Sequence, residues 1–183
     1  MSLGRTFLDD VTFSFRKQKE WAEQGFSQLA DDEFFRRPGP HSNSVALIVK
    51  HVAGNLKSRW TDFLSTDGDK PWRDRDDEFV IGPADTRDHL LAAWQDGWAV
   101  LFATIAGLGE ADLARTVTIR REPHTALQAL QRSLTHVAYH TGQVLYVARL
   151  VKDDGWRYVT IPPGQSQQAK AAGGNYLKPG EAP

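Results

Sequence analysis

From Leu8 the chain places apolar or small side chains three and four residues apart, at Leu8, Val11, Phe15, Ala22, Gly25 and Leu29, with Gln18 in register. That period keeps one face of a helix turned inward and predicts a first helix over residues 5–30. Pro38, Gly39 and Pro40 break the chain, and Ser42 or Asn43 then offers a side-chain oxygen to cap the next helix. Val45, Val49, Val52, Leu56, Trp60 and Phe63 form a second apolar stripe, ending near Ser65, before the Asp67-Gly68 turn signal. A third stripe, Leu91, Trp94, Trp98, Leu101, Ile105 and Leu108, starts behind a cap at Asp85 or Thr86 and stops at Gly107 or Gly109. The cleanest periodicity belongs to the fourth: Leu127, Leu130, Leu134, Val137, Thr141, Val144, Ala148 and Val151. Its start falls at residues 123–125, where Pro123 suits a first turn.

Four amphipathic helices with little strand must bury their stripes against one another, so the expected fold is all-α, a four-helix bundle. Alternation over residues 116–120 suggests one small extended segment with Val117 and Ile119 inward. Residues 66–84 mix Gly, Pro and many charges around Trp72, Phe79, Val80 and Ile81, and read as a long ordered connection. Such a crossover can carry the chain the height of the bundle and make helices two and three parallel. Residues 1–164 are expected to form one domain, and 165–183, rich in Gly, Pro, Ala, Gln and Lys, a surface tail.

Charge narrows the partners. Twenty-two basic against 23 acidic side chains leave a net charge of -1 without a strongly basic stretch, so nucleic acid is not an expected partner. No apolar run approaches the ~20 residues that span a bilayer, and the first ten residues lack a signal-like core, which makes a membrane role unexpected and a cytoplasmic address the expectation. With no cysteine, the chain has no disulfide, thiolate ligand or thiol nucleophile of its own.

Six histidines remain, and three are placed to matter. His136 and His140 are four apart, one turn above another on a helix face. Six histidines scattered over the chain produce such a pair in about one sequence in six, so the spacing alone is weak. With Val137 at the centre of its stripe, ~100° per residue puts both at about 60 to 100° from centre, bordering the core. His51 lies about 100° from Val52 on the second helix, with Asn55 one turn further. If those flanks face each other, three imidazoles converge; if not, they are ordinary surface or hydrogen-bonded histidines. A zincin reading of HVAYH fails because Val137 stands where the glutamate base belongs. No G-x-S-x-G elbow and no Glu-x-x-His pairs of a di-iron bundle occur on the stripes.

NSVALIVKHVAGNLKSRW (residues 43–60), TDFLSTDGDKPWRDRDDEF (61–79), TVTIRREPHTAL (116–127) and LTHVAYHTGQVLYVARL (134–150) together resemble a branch of unassigned function in the DinB-like, or YfiT-like, superfamily of metal-dependent enzymes. The resemblance implies a four-helix bundle with a long crossover, a homodimer, and one divalent metal ion held by His51, His136 and His140. Zinc, nickel and iron all suit imidazole ligands.

Three neutral imidazoles leave such an ion its full charge and an open position, where water can drop toward a pKa of ~7 and a thiol can ionise. Two reactions follow for a small-molecule substrate. An external low-molecular-weight thiol attacks an electrophile, as in thiol transferases of the superfamily, or a small amide or ester is hydrolysed. A third reading is a non-catalytic metal-binding stress protein. Asn55 and Gln143 are candidates to orient a substrate or ligand water, Arg59 to hold an anionic group, and Asp62 and Glu122 to act as bases or imidazole partners.

Overall fold

The structure, a computed structural model, describes residues 2–173; of the surface tail expected at 165–183, residues 174–183 lie outside the described residues. It is mostly helical. Four long helices carry the architecture: α1 (Leu3–Phe26), α3 (Val45–Trp60), α4 (Arg87–Ala106) and α5 (Ala126–Lys152). Two short helices, α2 (Asp31–Phe35) and α6 (Ser166–Ala171), and one antiparallel hairpin, β1 (Thr116–Ile119) with β2 (Glu122–Thr125), accompany them. None of the described helices is long and apolar enough to cross a membrane.

The caps show why the helices begin where they do. Ser44, not Ser42 or Asn43, caps α3 by accepting from Leu47 N at 3.3 Å, because the chain is still in irregular turns at 39–42. Thr86 caps α4, and Gly107 ends it. Thr125 caps α5, with Gln128 reaching back to the Thr125 N–H in a reciprocal capping box. Pro123 therefore sits outside the helix, in β2. The first helix stops at Phe26, and the apolar side chains of Leu29 and Phe34 reach the core from the turn and from α2.

Contacts along the helices fix their directions. Lys50 meets Asp85 at the start of α4, Gly97 lies against Ala53 and Leu56, and Thr104 Oγ1 donates to the Trp60 carbonyl at 3.0 Å. Residue numbers rise together, so α3 and α4 run parallel, and the 66–84 connection spans their length. Between α1 and α4 the order inverts: Glu23 accepts from Trp94 Nε1, while Phe15 packs edge-on to Trp98. The shared core centres on Phe15, Trp60, Trp94 and Trp98, all buried and in edge-to-face contact as aromatic quadrupoles prefer. On α5 the inward face follows Ala126, Ala129, Leu130, Ser133 and Val137, which leaves Leu127 39% exposed rather than in the stripe. On α4 Leu90, not Leu91, is the buried member of the first turn.

The connection is held at both ends. Ser58 Oγ donates to Gly68 O at 2.8 Å and accepts from Lys70 N, while Lys50 reaches Asp77, Asp85 and the Val80 carbonyl. Asp67 accepts from the N–H groups of Arg120 and Arg121 at 2.9 and 2.8 Å, so the connection also grips the hairpin turn. Both turn residues adopt positive φ, 53° and 65°, without glycine or asparagine.

Gly97 and Gly142 separate close packing from helix propensity. A Cβ at Gly97 would lie 2.9 Å from the Ala53 carbonyl oxygen and 3.2 Å from Leu56 Cβ, whereas one at Gly142 meets nothing within 4 Å. Gly97→Ala is expected to lower stability by about 1–3 kcal/mol through overpacking, and Gly142→Ala to raise it by roughly 0.5–1 kcal/mol. Urea unfolding of both variants checks this; a stabilised Gly97→Ala protein contradicts the close approach of α3 and α4.

Candidate metal centre

His51 projects from the middle of α3, and His136 and His140 from successive turns of α5. Their Nε2 atoms come together: His51 to His136 at 3.3 Å and His140 to His136 at 3.1 Å, with all three ligand atoms within 4.8 Å of one another. Imidazole nitrogens about 2.0–2.1 Å from a tetrahedral ion would themselves be about 3.3–3.4 Å apart. The three residues therefore form a group that could hold a metal ion.

The opposite ring edges explain the orientation. His51 Nδ1–H donates to Glu78 Oε2 at 2.8 Å, and His140 Nδ1–H donates to Gln143 Oε1 at 2.7 Å. A neutral imidazole that donates from Nδ1 keeps its lone pair on Nε2. Both rings thus turn lone pairs toward one point, an arrangement that is repulsive alone and suits a shared cation. His136 Nδ1 is buried and has no partner among the described residues.

Glu78 is the anchor of this shell. Arg73 donates to it twice, from Nε at 2.7 Å and Nη2 at 2.8 Å, and all three side chains, His51, Arg73 and Glu78, are less than 10% exposed. Burial pushes the Glu78 carboxyl upward, but the hydrogen bonds from His51 and Arg73 outweigh it and hold the group below its ordinary value. Phe79, next in sequence, lies over the His51 ring with centroids 4.9 Å apart. Space for the carboxylate comes from Gly54, where a Cβ would fall 2.2 Å from Glu78 Oε1.

The two α5 histidines are held neutral. Burial, followed by the nearby His140, His51, Arg59 and Arg73, lowers His136 to about 3. Burial, opposed by the Gln143 hydrogen bond and helped by His51, lowers His140 to about 4. Neutral imidazole is the form that ligates.

Beside the cluster a cavity of about 220 Å³ is lined by His51, His136, Asn55, Arg59 and Ser133, among others. Asn55 and Arg59 thus sit at this cavity, and Gln143 supports His140. Glu122 is exposed on β2, with Oε2 3.8 Å from Arg132 Nη1, and Asp62 is exposed after α3; the structure brings neither to the imidazoles. Glu78 and Arg73 were not singled out by sequence reasoning. They lie in the run 73–78, in which all six residues are acids or bases and none stands out; the mid-helix Gly54 was the one signal of a close approach.

A family model described as "Protein of unknown function (DUF1572)" matches residues 2–165, and the chain belongs to that family. No curated protein matches it. Among solved structures, the crystal structure of a conserved protein from Enterococcus faecalis is similar, with a TM-score of 0.57 and 18% identity over 82% of this chain and 98% of that one. At that identity the likeness shows the fold alone.

Two outcomes test this geometry. Gly54→Ala should displace Glu78 and lower stability by about 1–3 kcal/mol, where helix propensity alone would raise it by roughly 0.5–1 kcal/mol; thermal unfolding of the metal-free protein reads the sign. Separately, a histidine with a lower pKa folded than unfolded takes up protons on unfolding. Metal-free protein should therefore lose stability steadily as pH falls from about 6.5 toward 4, and His136→Gln should flatten that slope. Equal slopes for the two proteins would contradict the buried neutral imidazole.

Proposed function

We propose that this DUF1572 protein binds one divalent metal ion through His51, His136 and His140 and uses it for thiol-dependent S-transfer to a small molecule. The observation that carries the reading is the convergence of three Nε2 atoms, two of them on rings oriented by Glu78 and Gln143. The four long helices, the parallel α3 and α4 and the long crossover support placing the chain among the DinB-like four-helix bundles, as the sequence motifs suggest.

A divalent ion held by three neutral imidazoles keeps its charge and an open position, so it acidifies a thiol or water bound there. The chain's own residues would do the rest. Glu78 would stabilise the partial positive charge that His51 gains as a ligand, and Arg73 keeps that carboxylate ionised. Asn55 and Ser133 offer hydrogen bonds to a bound molecule at the cavity wall. Among the described residues no carboxylate lines the cavity, and Glu78 is fully engaged. Neither a thiol nor a water ionised at the ion would need such a base, but hydrolysis of an amide would also need a proton donor for the leaving amine, and the lining offers no carboxylic acid for it, which favours S-transfer over amide hydrolysis. The missing cysteine means the thiol comes from outside, as a low-molecular-weight cosubstrate.

A homodimer belongs to the same proposal. Tyr139, Tyr146 and Leu150 are 51–67% exposed along one side of α5 and supply an apolar stripe for a second copy.

Native mass spectrometry of untagged, zinc-loaded protein should show two chains and two ions, and His136→Ala should lose the ion. Chelation is expected to lower the melting temperature, since an ion bound only by the folded state stabilises by mass action. Turnover of a generic electrophile should need one of bacillithiol, mycothiol, glutathione or coenzyme A. Metal-dependent ester hydrolysis without thiol turnover would make the protein a hydrolase, and tight metal binding without either would make it a metal-binding stress protein.

A further inference from the structure

The cavity beside the histidines has a second chemistry. Five arginines line it: Arg59 from α3, Arg73 and Arg75 from the connection, Arg120 from the hairpin turn and Arg132 from α5. No acidic side chain among the described residues lines it. Among the described residues, Arg73 alone of the five has a close carboxylate partner, Glu78. Arg120 and Arg132 stand 3.9 and 3.8 Å from exposed Asp69 and Glu122, and Arg75 is 3.7 Å from exposed Asp76. Arg132 also donates to His124 Nε2.

Arg59 is the unusual member. It is 8% exposed, and its Nη1 is buried without a partner among the described residues. Asp67 and Asp69 act on it from a distance, but no carboxylate among the described residues pairs with it, and a buried guanidinium without a contact partner is costly unless something else supplies one. Desolvation and the neighbouring Arg132, Arg73 and Arg120, only partly opposed by Asp69, lower its pKa to about 10, so it remains charged at neutral pH. The shortage is concentrated at this cavity: of the five buried side-chain polar atoms without a partner among the described residues, three belong to Arg59, Ser133 and His136, all of which line it. Positive φ at Arg120 is a further local cost, held in place by Asp67.

We infer that this cavity is the recognition site for a small molecule bearing at least two negative charges, phosphoryl or carboxylate, with Arg59 as its central anchor. A guanidinium presents a planar fork that matches both groups bidentately. The volume, about 220 Å³, has room for a compact anionic group. Because His51 and His136 line the same cavity, the substrate's reactive end lies at the histidine cluster; this last clause rests on the proposed metal chemistry, whereas anion binding does not.

The test is titration calorimetry and thermal unfolding with inorganic pyrophosphate, tricarballylate and a neutral analogue, the triamide of tricarballylic acid. The wild-type protein should bind at least one of the two anions, weaken as salt is raised, and ignore the triamide. Pyrophosphate alone assigns a phosphoryl ligand, tricarballylate alone a polycarboxylate. Arg59→Met should bind at least tenfold more weakly, yet melt higher than wild type without anion, because the desolvated guanidinium and its unpartnered Nη1 are gone. His140→Ala, which removes an imidazole of the cluster that does not line the cavity, should keep anion binding while weakening metal binding, so the two readings fail separately. No binding of either anion at millimolar concentration, or an Arg59→Met protein that binds as wild type does, overturns the inference. Binding of single-stranded RNA in preference to both small anions would overturn it equally.

Discussion

One buried carboxylate ties the molecule together. Glu78 accepts from Arg73 twice and from His51 once, in a notch that Gly54 leaves open on α3. It joins the long connection to α3 and at the same time fixes which nitrogen of His51 carries the proton. Removing one partner of such a buried pair typically costs about 3–5 kcal/mol, because the other charge is stranded. The connection is therefore more than a link between parallel helices: its far end sets the orientation of the imidazole that faces α5. Ser58, Lys50 and Asp67 hold the rest of it against α3, α4 and the hairpin.

Most of the helical framework was legible because apolar periodicity and caps agree. Val45, Val52, Leu56 and Trp60 are buried as their spacing requires, and so are Trp94, Trp98, Leu101 and Ile105. The short helix Asp31–Phe35 escaped notice, since five residues hold barely one turn of periodic signal. The hairpin was read only as a small extended segment. Two-residue turns of its kind normally announce themselves with Asn-Gly or Asp-Gly, and here Arg120 and Arg121 take the positive φ values because Asp67, more than fifty positions away, binds their N–H groups.

The site shows the same division. Wheel positions bring out His51, His136 and His140 because ligands on regular helices inherit the helix period. Glu78 was hidden in a run of charges, and its burial follows from Phe79 packing on His51, a tertiary contact. The arginines were hidden differently. A near-neutral chain without a basic stretch gave no hint that Arg59, Arg73, Arg75, Arg120 and Arg132 would gather at one cavity, since they come from four separate segments. Charge summed along a sequence says little about charge summed around a hollow.

The central claim is that three imidazoles share one cation. X-ray absorption spectroscopy of the zinc-loaded protein at the metal edge measures this most directly. The account predicts a shell containing three imidazole nitrogens at about 2.0–2.1 Å, reduced to two in His140→Ala. A shell of oxygen atoms alone, or a spectrum that does not change in that variant, would contradict it.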